Sequence, residues 1–131
     1  MSDGRDSVKI PGAPSVDAGR VVAELRELDE LTGGRERGGA QRVAWGPAWH
    51  EARSWMAGKL GELEVEPETD EAGNIWATLP GEAEGPALAL GSHLDSVPDG
   101  GWLDGALGVV AGLGVLRAWV GSGAPPPRGR A

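Results

Sequence analysis

The stretch Gly91-Ser92-His93-Leu94-Asp95-Ser96-Val97-Pro98, followed by Trp102-Leu103-Asp104-Gly105, decides the architecture predicted for this chain. It brings one imidazole and two carboxylates close together in sequence, directly after the apolar run Ala87-Leu88-Ala89-Leu90. A run that is apolar at every position is typical of a strand covered on both faces, as in a parallel sheet flanked by helices. Because open α/β sheets hold ligands at the carboxyl ends of their strands, this stretch is predicted to form a binding edge.

The three polar side chains suit a divalent cation. His93 and Asp95 are two residues apart, so in an extended segment they point to the same face. A carboxylate beside a metal-ligating imidazole accepts the other ring N–H and fixes the tautomer. Asp104 follows the turn-forming stretch 98–101 and precedes a predicted helix, which can return it towards His93. One imidazole nitrogen and one carboxylate form half of a ligand shell for Zn²⁺ or Mn²⁺.

Each of these residues also has an ordinary structural interpretation. His93 can be a partly exposed polar residue at the end of a strand. Asp104 can cap the following helix through its side chain. Asp95 can cap a turn in the same way. Spacing alone leaves both interpretations open.

Composition limits the partners of the chain. It has 131 residues, enough for one domain, and a formal net charge of −8, which argues against nucleic acid and against an anionic membrane surface. It has no cysteine, so disulfides and thiolate metal ligands are excluded. The longest apolar run, 106–116, is too short to span a bilayer, and residues 1–17 carry no apolar signal region. We therefore expect a cytoplasmic chain.

The spacing of apolar residues predicts alternating helices and strands between a disordered N-terminus (1–14) and a disordered tail (121–131). The predicted helices run from a cap at Ser15 or Asp17 to Gly33-Gly34, from Pro47 to Gly61, and from Gly105 to Val120. The predicted strands centre on Leu63 and Val65, on Ile75–Leu79, and on Ala87–Leu90. This order favours an α/β or α+β fold.

The run from Gly91 to Leu113 strongly resembles the amidase branch of the M20 metallopeptidase-like family, which holds hydantoinase/carbamoylase enzymes and allantoate amidohydrolases. The segments Asp70–Gly81 and Arg42–Leu60 resemble the family's preceding strand and helix, so the resemblance covers roughly residues 20 to 120. It implies that residues 15–120 form the N-terminal part of a zinc-hydrolase catalytic domain, with helices packed on a mostly parallel sheet.

The resemblance also implies a role for each candidate residue. His93 matches a metal ligand, Asp104 matches the carboxylate that bridges two divalent ions, and Asp95 matches the acidic residue that steadies His93 and assists catalysis. The implied chemistry is hydrolysis of carbamoyl or linear amide C–N bonds in a small-molecule substrate, with a Glu as general base. Intact family members are expected to be homodimers.

The chain departs from the family in two respects. Gly114 stands where many relatives have Glu, at a position expected on the helix surface or in the outer surroundings of the site. Family members are also several times longer, and their Glu-Glu pair and later metal ligands have no counterpart here. His50 matches no ligand and is expected on the surface. These departures predict an inactive N-terminal fragment with at most weak metal binding; an M20-type exopeptidase is the other alternative.

Overall fold

The computed structural model describes residues 12–127, and this part of the chain contains four helices and one short two-stranded sheet. In chain order the elements are α1 (Ala18–Leu31), α2 (Gly34–Arg37), α3 (Pro47–Gly61), β1 (Glu68–Thr69), β2 (Ile75–Trp76) and α4 (Ala106–Ser122).

Helix α1 begins and ends where its capping residues allow. The Asp17 side chain accepts a hydrogen bond from the Arg20 N–H at 2.9 Å, which satisfies one of the free donors of the first turn. Of the two predicted caps, Ser15 and Asp17, Asp17 is the one used. At the other end the Thr32 hydroxyl donates to the Leu28 carbonyl at 2.8 Å, and Gly33 takes a left-handed conformation that starts a new direction.

The core forms where α1 packs against α3 and α4. Leu28 and Val110 are fully buried, and each contributes about 1.5–3 kcal/mol by leaving water. The spacing of apolar residues predicts a stripe on α3, of which Ala52, Met56 and Leu60 are buried while Trp49 and Trp55 are half-buried. Two neighbouring clusters make up this core: Val21, Leu25, Leu28, Ala52, Ala106 and Val110 in one, and Met56, Leu60 and Leu113 in the other.

Gly114 lies at the contact between α4 and α1, not on the helix surface as predicted. It is buried, and a Cβ atom there would lie 2.9 Å from Val21 Cγ2 and 3.1 Å from Val16 Cγ1. A larger side chain, such as the Glu expected from the family, would therefore push the two helices apart. The glycine allows α4 to approach α1 closely.

A buried carboxylate joins the three long helices. Glu24 on α1 accepts two hydrogen bonds from Arg117 on α4, at 2.8 and 3.1 Å. Its Oε1 also lies 3.3 Å from Arg20 Nε and 3.7 Å from Lys59 Nζ on α3. Because the Glu24 side chain is only 5% exposed, these pairs are poorly screened by solvent. They set the mutual positions of α1, α3 and α4.

The strand predicted around Leu63 and Val65 is wrong. The N–H groups of Leu63 and Val65 both donate to the Leu60 carbonyl, and that of Glu64 donates to Gly61. These bonds continue the end of α3 as a turn, so the backbone donors are not available for a sheet. The short strands instead pair Glu68 with Trp76 and Thr69 with Ile75, in antiparallel register.

The turn-forming residues of the stretch 70–74 predict a turn, and the structure confirms it between β1 and β2, where Asp70 organises it. Its Oδ1 accepts from the backbone N–H groups of Ala72 and Asn74, and its Oδ2 accepts from the side chains of Asn74 and Trp76. Hydrogen bonds from Trp76 and Asn74 stabilise the charged carboxylate and lower the pKa of Asp70 to about 2.

The α/β class holds, but the mostly parallel sheet does not form within residues 12–127. The β1–β2 pair is antiparallel, and so is the isolated bridge between Ala40 and Gly100. The predicted strand Ala87–Leu90 is extended, but no strand of the described chain pairs with it, and Leu88 is 83% exposed. A strand needs backbone partners as well as apolar side chains, and the described residues supply none here.

The structure describes only some of the residues in the two termini that are predicted to be disordered. Residues 1–11 and 128–131 lie outside them. Within the predicted tail, Gly121 and Ser122 form the last residues of α4, and the Pro126 carbonyl accepts from the Glu82 N–H. Among residues 12–127, no helix is both long and apolar enough to cross a bilayer.

Replacing Glu24 with Gln should destabilise the fold by about 3 kcal/mol, because Arg117 would stay buried without its compensating charge. Urea denaturation followed by circular dichroism measures the loss. The matched control is Glu51→Gln on the exposed face of α3, which should change the free energy of unfolding by less than about 0.5 kcal/mol. Equal effects of the two substitutions would contradict the role assigned to Glu24.

Candidate functional site

The three sequence-predicted site residues converge at the start of α4. His93 and Asp95 lie in an extended segment, and Asp104 lies in the turn that leads into the helix. The neighbouring residues Leu94 and Trp102 pack against the core. Burial of these two apolar side chains therefore holds both segments of the candidate site against the helices.

The two nitrogens of the His93 ring face different groups. Nδ1 lies 3.0 Å from the Asp95 backbone carbonyl and 3.3 Å from Asp95 Oδ1. Both of these oxygens are hydrogen-bond acceptors, so they favour the tautomer that carries the proton on Nδ1. In that tautomer Nε2 keeps its lone pair, which is the form of histidine that binds metals.

Nε2 of His93 faces the Asp104 carboxylate at 3.7 Å from Oδ2. With the proton on Nδ1, Nε2 and Oδ2 are both electron-pair donors, and a cation, a proton or a bridging water molecule between them would relieve their repulsion. The 3.7 Å separation is shorter than the sum of a zinc–nitrogen and a zinc–oxygen bond, about 4.1 Å, so a single ion can contact both atoms. The donor pair thus fits a divalent ion.

The purely structural interpretations of the two carboxylates find no support. The N-cap of α4 is Gly105, and no side chain caps this helix, so Asp104 is not a capping residue. Among residues 12–127, the Asp95 carboxylate lies 3.3 Å from His93 Nδ1, and its negative charge also favours the charged form of the Arg42 guanidinium. Asp104 is 73% exposed, and its carboxylate makes no other ion pair in the described chain.

Two glycines at the start of α4 allow the helix to reach His93. Gly105 has a φ of +68°, and a Cβ atom there would lie 2.5 Å from both Cε1 and Nδ1 of the His93 ring. A Cβ atom at Gly108 would lie 2.7 Å from Ser92 Cβ. The glycines of the predicted helix at 105–120 favour a close approach to a neighbouring segment, and the start of α4 does approach the segment of His93, which brings Asp104 to the imidazole.

A second segment supports the site, and the sequence reasoning missed it. Ala40 and Gly100 exchange two backbone hydrogen bonds of 2.8 and 3.2 Å, and the Ser96 N–H donates to the Arg42 carbonyl. Arg42 is completely buried, which lowers the pKa of its guanidinium, while the charges of Asp29 and Asp95 oppose that shift. The feature of the sequence that could have revealed this segment is Arg42, an arginine beside apolar residues between two predicted helices.

The candidate site is open to solvent. The side chains of His93 and Asp95 are 50% and 45% exposed. A cavity of about 330 Å³ lies nearby, bordered by Asp29, Asp99 and Trp102, but His93 and Asp104 do not line it. No third His, Asp or Glu of the described residues completes a metal-binding group, and His50 is exposed on α3, as predicted.

Replacing Gly105 with Ala should displace His93 from Asp104, because the methyl group would overlap the imidazole and the backbone would be strained at a φ of +68°. Histidine ¹⁵N NMR should show a shifted His93 ring. In the control Gly101→Ala, the new Cβ would lie 3.7 Å from Asp104 Cβ, an ordinary contact, and the His93 signals should not move. An unshifted His93 in the Gly105 variant would show that this glycine does not define the site.

Comparison with known proteins places this geometry in a family context. A family model described as peptidase family M28 matches residues 74–129. The sequence motifs, by contrast, resemble the M20 metallopeptidase-like family. An N-carbamoyl-L-amino-acid amidohydrolase from Paenarthrobacter aurescens is 35% identical over 107 residues, which cover 81% of this chain and 26% of that protein. An allantoate amidohydrolase from Escherichia coli is 34% identical over 99 residues, covering 70% of this chain and 24% of that protein.

The fold gives the same result. The crystal structure of a hydantoinase/carbamoylase family amidase from Burkholderia ambifaria superposes with a TM-score of 0.75 at 32% identity, covering 85% of this chain and 27% of that one. The chain spans about a quarter of the length of the relatives that it matches. In sequence and in fold, it is therefore related to the hydantoinase/carbamoylase amidases and the allantoate amidohydrolases, and it corresponds to one part of them.

Proposed function

We propose that this chain carries part of the catalytic centre of a metal-dependent amidohydrolase. The reaction is hydrolysis of a carbamoyl or linear amide C–N bond in a small molecule, of the N-carbamoyl-amino-acid or allantoate type. The names of its relatives support the reaction class. The observation that carries the proposal is the facing pair of His93 Nε2 and Asp104 Oδ2, two donor atoms with room for one cation between them.

In this proposal His93 and Asp104 are metal ligands, and the ion is Zn²⁺ or Mn²⁺. Imidazole and carboxylate are suitable ligands for both ions, and the chain has no cysteine that would supply a thiolate ligand. In the intact family Asp104 would bridge two ions. A bound divalent ion supplies Lewis acidity towards the carbonyl oxygen of the scissile bond.

The residues of this chain contribute orientation and charge. The Asp95 carbonyl and carboxylate hold the proton on Nδ1, so that the lone pair of Nε2 stays directed at the space beside Asp104. The Asp104 carboxylate supplies negative charge at that point. We propose that Asp95 also assists catalysis, as its position beside the candidate ligand allows.

We propose further that the 131-residue chain on its own is at most a weak metal binder. Two donors converge in the described chain, whereas catalytic zinc sites use three protein ligands. The half-exposed site also leaves bulk water in contact with the ligands, which weakens every electrostatic interaction there. The general base, the remaining ligands, homodimer formation and a cytoplasmic location belong to the proposal for the intact protein.

An M20- or M28-type exopeptidase is the second candidate. The match to a peptidase family model favours it. The same ligand pair would serve a peptide bond, since peptide and carbamoyl carbonyls need the same polarisation. The two candidates differ in substrate alone.

Zinc titration of the purified chain, followed by competition with a chelating dye, tests the ligand assignment. His93→Ala and Asp104→Ala should each weaken zinc binding by about tenfold or more, because each removes one of two converging donors. The matched control is His50→Ala, the other histidine of the chain, which should change the affinity by less than about twofold. Equal losses in the His93 and His50 variants would contradict the site.

The zinc-loaded or manganese-loaded chain should not hydrolyse N-carbamoyl amino acids at a measurable rate, because a site without its base and half of its ligands loses most of its activity. Ammonia release is the measurement, with substrate alone as the blank. Hydrolysis by the pure chain that His93→Ala abolishes would overturn the proposal of inactivity while supporting the site.

A further inference from the structure

Arg42 is the largest fully buried side chain of the described residues, and it lies beside the candidate site. Burial of a guanidinium carries a large desolvation penalty, and a hydrophobic side chain of similar size would fill the same space without it. Its presence therefore calls for an explanation in terms of what it contacts.

The contacts of the guanidinium lie on both segments that carry the candidate ligands. Nε donates to the Leu94 carbonyl at 2.9 Å, and Nη2 donates to the Trp102 carbonyl at 3.4 Å. Leu94 directly follows His93, and Trp102 precedes Asp104 by two residues. Nη1 is buried without a hydrogen-bond partner in the described part of the chain, so these two carbonyls account for the hydrogen bonds of the side chain.

The backbone of Arg42 is tied to the same loop. Its N–H donates to the Ser96 hydroxyl at 3.0 Å, and its carbonyl accepts from the Ser96 N–H at 2.9 Å. The side chain and the backbone of one residue thus contact the loop at Leu94, Ser96 and Trp102. Apolar burial of Leu94 and Trp102 holds the loop against the core but is not directional, whereas hydrogen bonds to carbonyl oxygens fix how each peptide unit is rotated.

We propose that Arg42 is a positioning residue that sets the separation between His93 and Asp104. Its planar, forked guanidinium holds the carbonyl groups of Leu94 and Trp102 at a fixed separation and orientation. His93 and Asp104 belong to the two segments that contain these carbonyl groups. This inference rests on the proposed function for its catalytic meaning, but the geometry that it predicts can be measured without metal.

The decisive variant is Arg42→Lys, which keeps the charge but replaces the fork with a single ammonium group that cannot match two separate carbonyls. The readout is the nuclear Overhauser effect between the His93 ring Hε1 and the Gly105 α protons, which are in close contact in the structure. This signal should fall by more than half in Arg42→Lys. The matched control is Val65→Ala, a buried apolar position outside the two core clusters that Leu94 packs against, which should keep the signal even though it destabilises the fold.

Zinc affinity gives the second readout. Arg42→Lys should weaken zinc binding by about tenfold or more, as expected for a group that orients metal ligands, while Val65→Ala should leave it within about twofold. If Arg42→Lys does not fold, Ser96→Ala replaces it, because it removes the acceptor of the Arg42 N–H. That variant should weaken zinc binding by about threefold and keep its circular dichroism spectrum.

Two results would overturn the inference. One is a full-strength His93–Gly105 signal in the folded Arg42 or Ser96 variant. The other is an equal loss of zinc affinity in Arg42→Lys and Val65→Ala, which would reduce Arg42 to an ordinary core residue. If the unaltered chain binds no zinc through His93, the proposed function fails, and the nuclear Overhauser comparison still decides whether Arg42 positions the loop.

Discussion

The ion pairs of Glu24 are the interaction on which the arrangement of the helices depends. One carboxylate on α1 faces Arg117 of α4 and Lys59 of α3, in a position that solvent hardly reaches. The apolar contacts around it would tolerate some sliding of one helix along another, because hydrophobic burial is not directional. The paired charges do not, since removing Glu24 leaves the Arg117 guanidinium largely shielded from solvent without its charge partner. The position of α4, and with it that of the candidate site, follows from this constraint.

The candidate site is built on that frame by backbone proximity. Gly114 lets α4 approach α1, and Gly105 and Gly108 let the start of the same helix approach the His93 segment. Three positions without a side chain on one helix thus bring Asp104 to the imidazole. The low intrinsic helix stability that such glycines cause is offset by the contacts that they permit. The glycines that allow close backbone approach therefore define this site as much as the residues with reactive side chains do.

The sequence was sufficient where local chemistry decides the structure. The Asp17 cap, the Pro47 start of α3, the Asp70 turn and the pairing of His93 with Asp95 all depend on neighbours in sequence, and all four are found in the structure. The metal assignment itself remains a prediction. Prediction from the sequence failed where contacts between residues far apart in the chain determine the structure. Alternation of apolar residues at Leu63 and Val65 could not reveal that their N–H groups bond to the end of α3. Gly114 and Arg42 could not be placed without the tertiary contacts of α1 and of the site loop.

The extended segment Ala87–Leu90 has a consequence for the behaviour of the chain in solution. Leu88 and Leu90 project into water, and the backbone around them pairs with no strand of the described residues. Such a segment has the features of an unpaired edge strand that promotes aggregation. Its backbone hydrogen-bonding groups lie in a row, its side chains are apolar, and it has no charge that would repel a second copy of the chain. At high concentration, self-association through this segment would compete with the dispersed state, and its acidic flank at Glu82 and Glu84 would act as the gatekeeper that limits it.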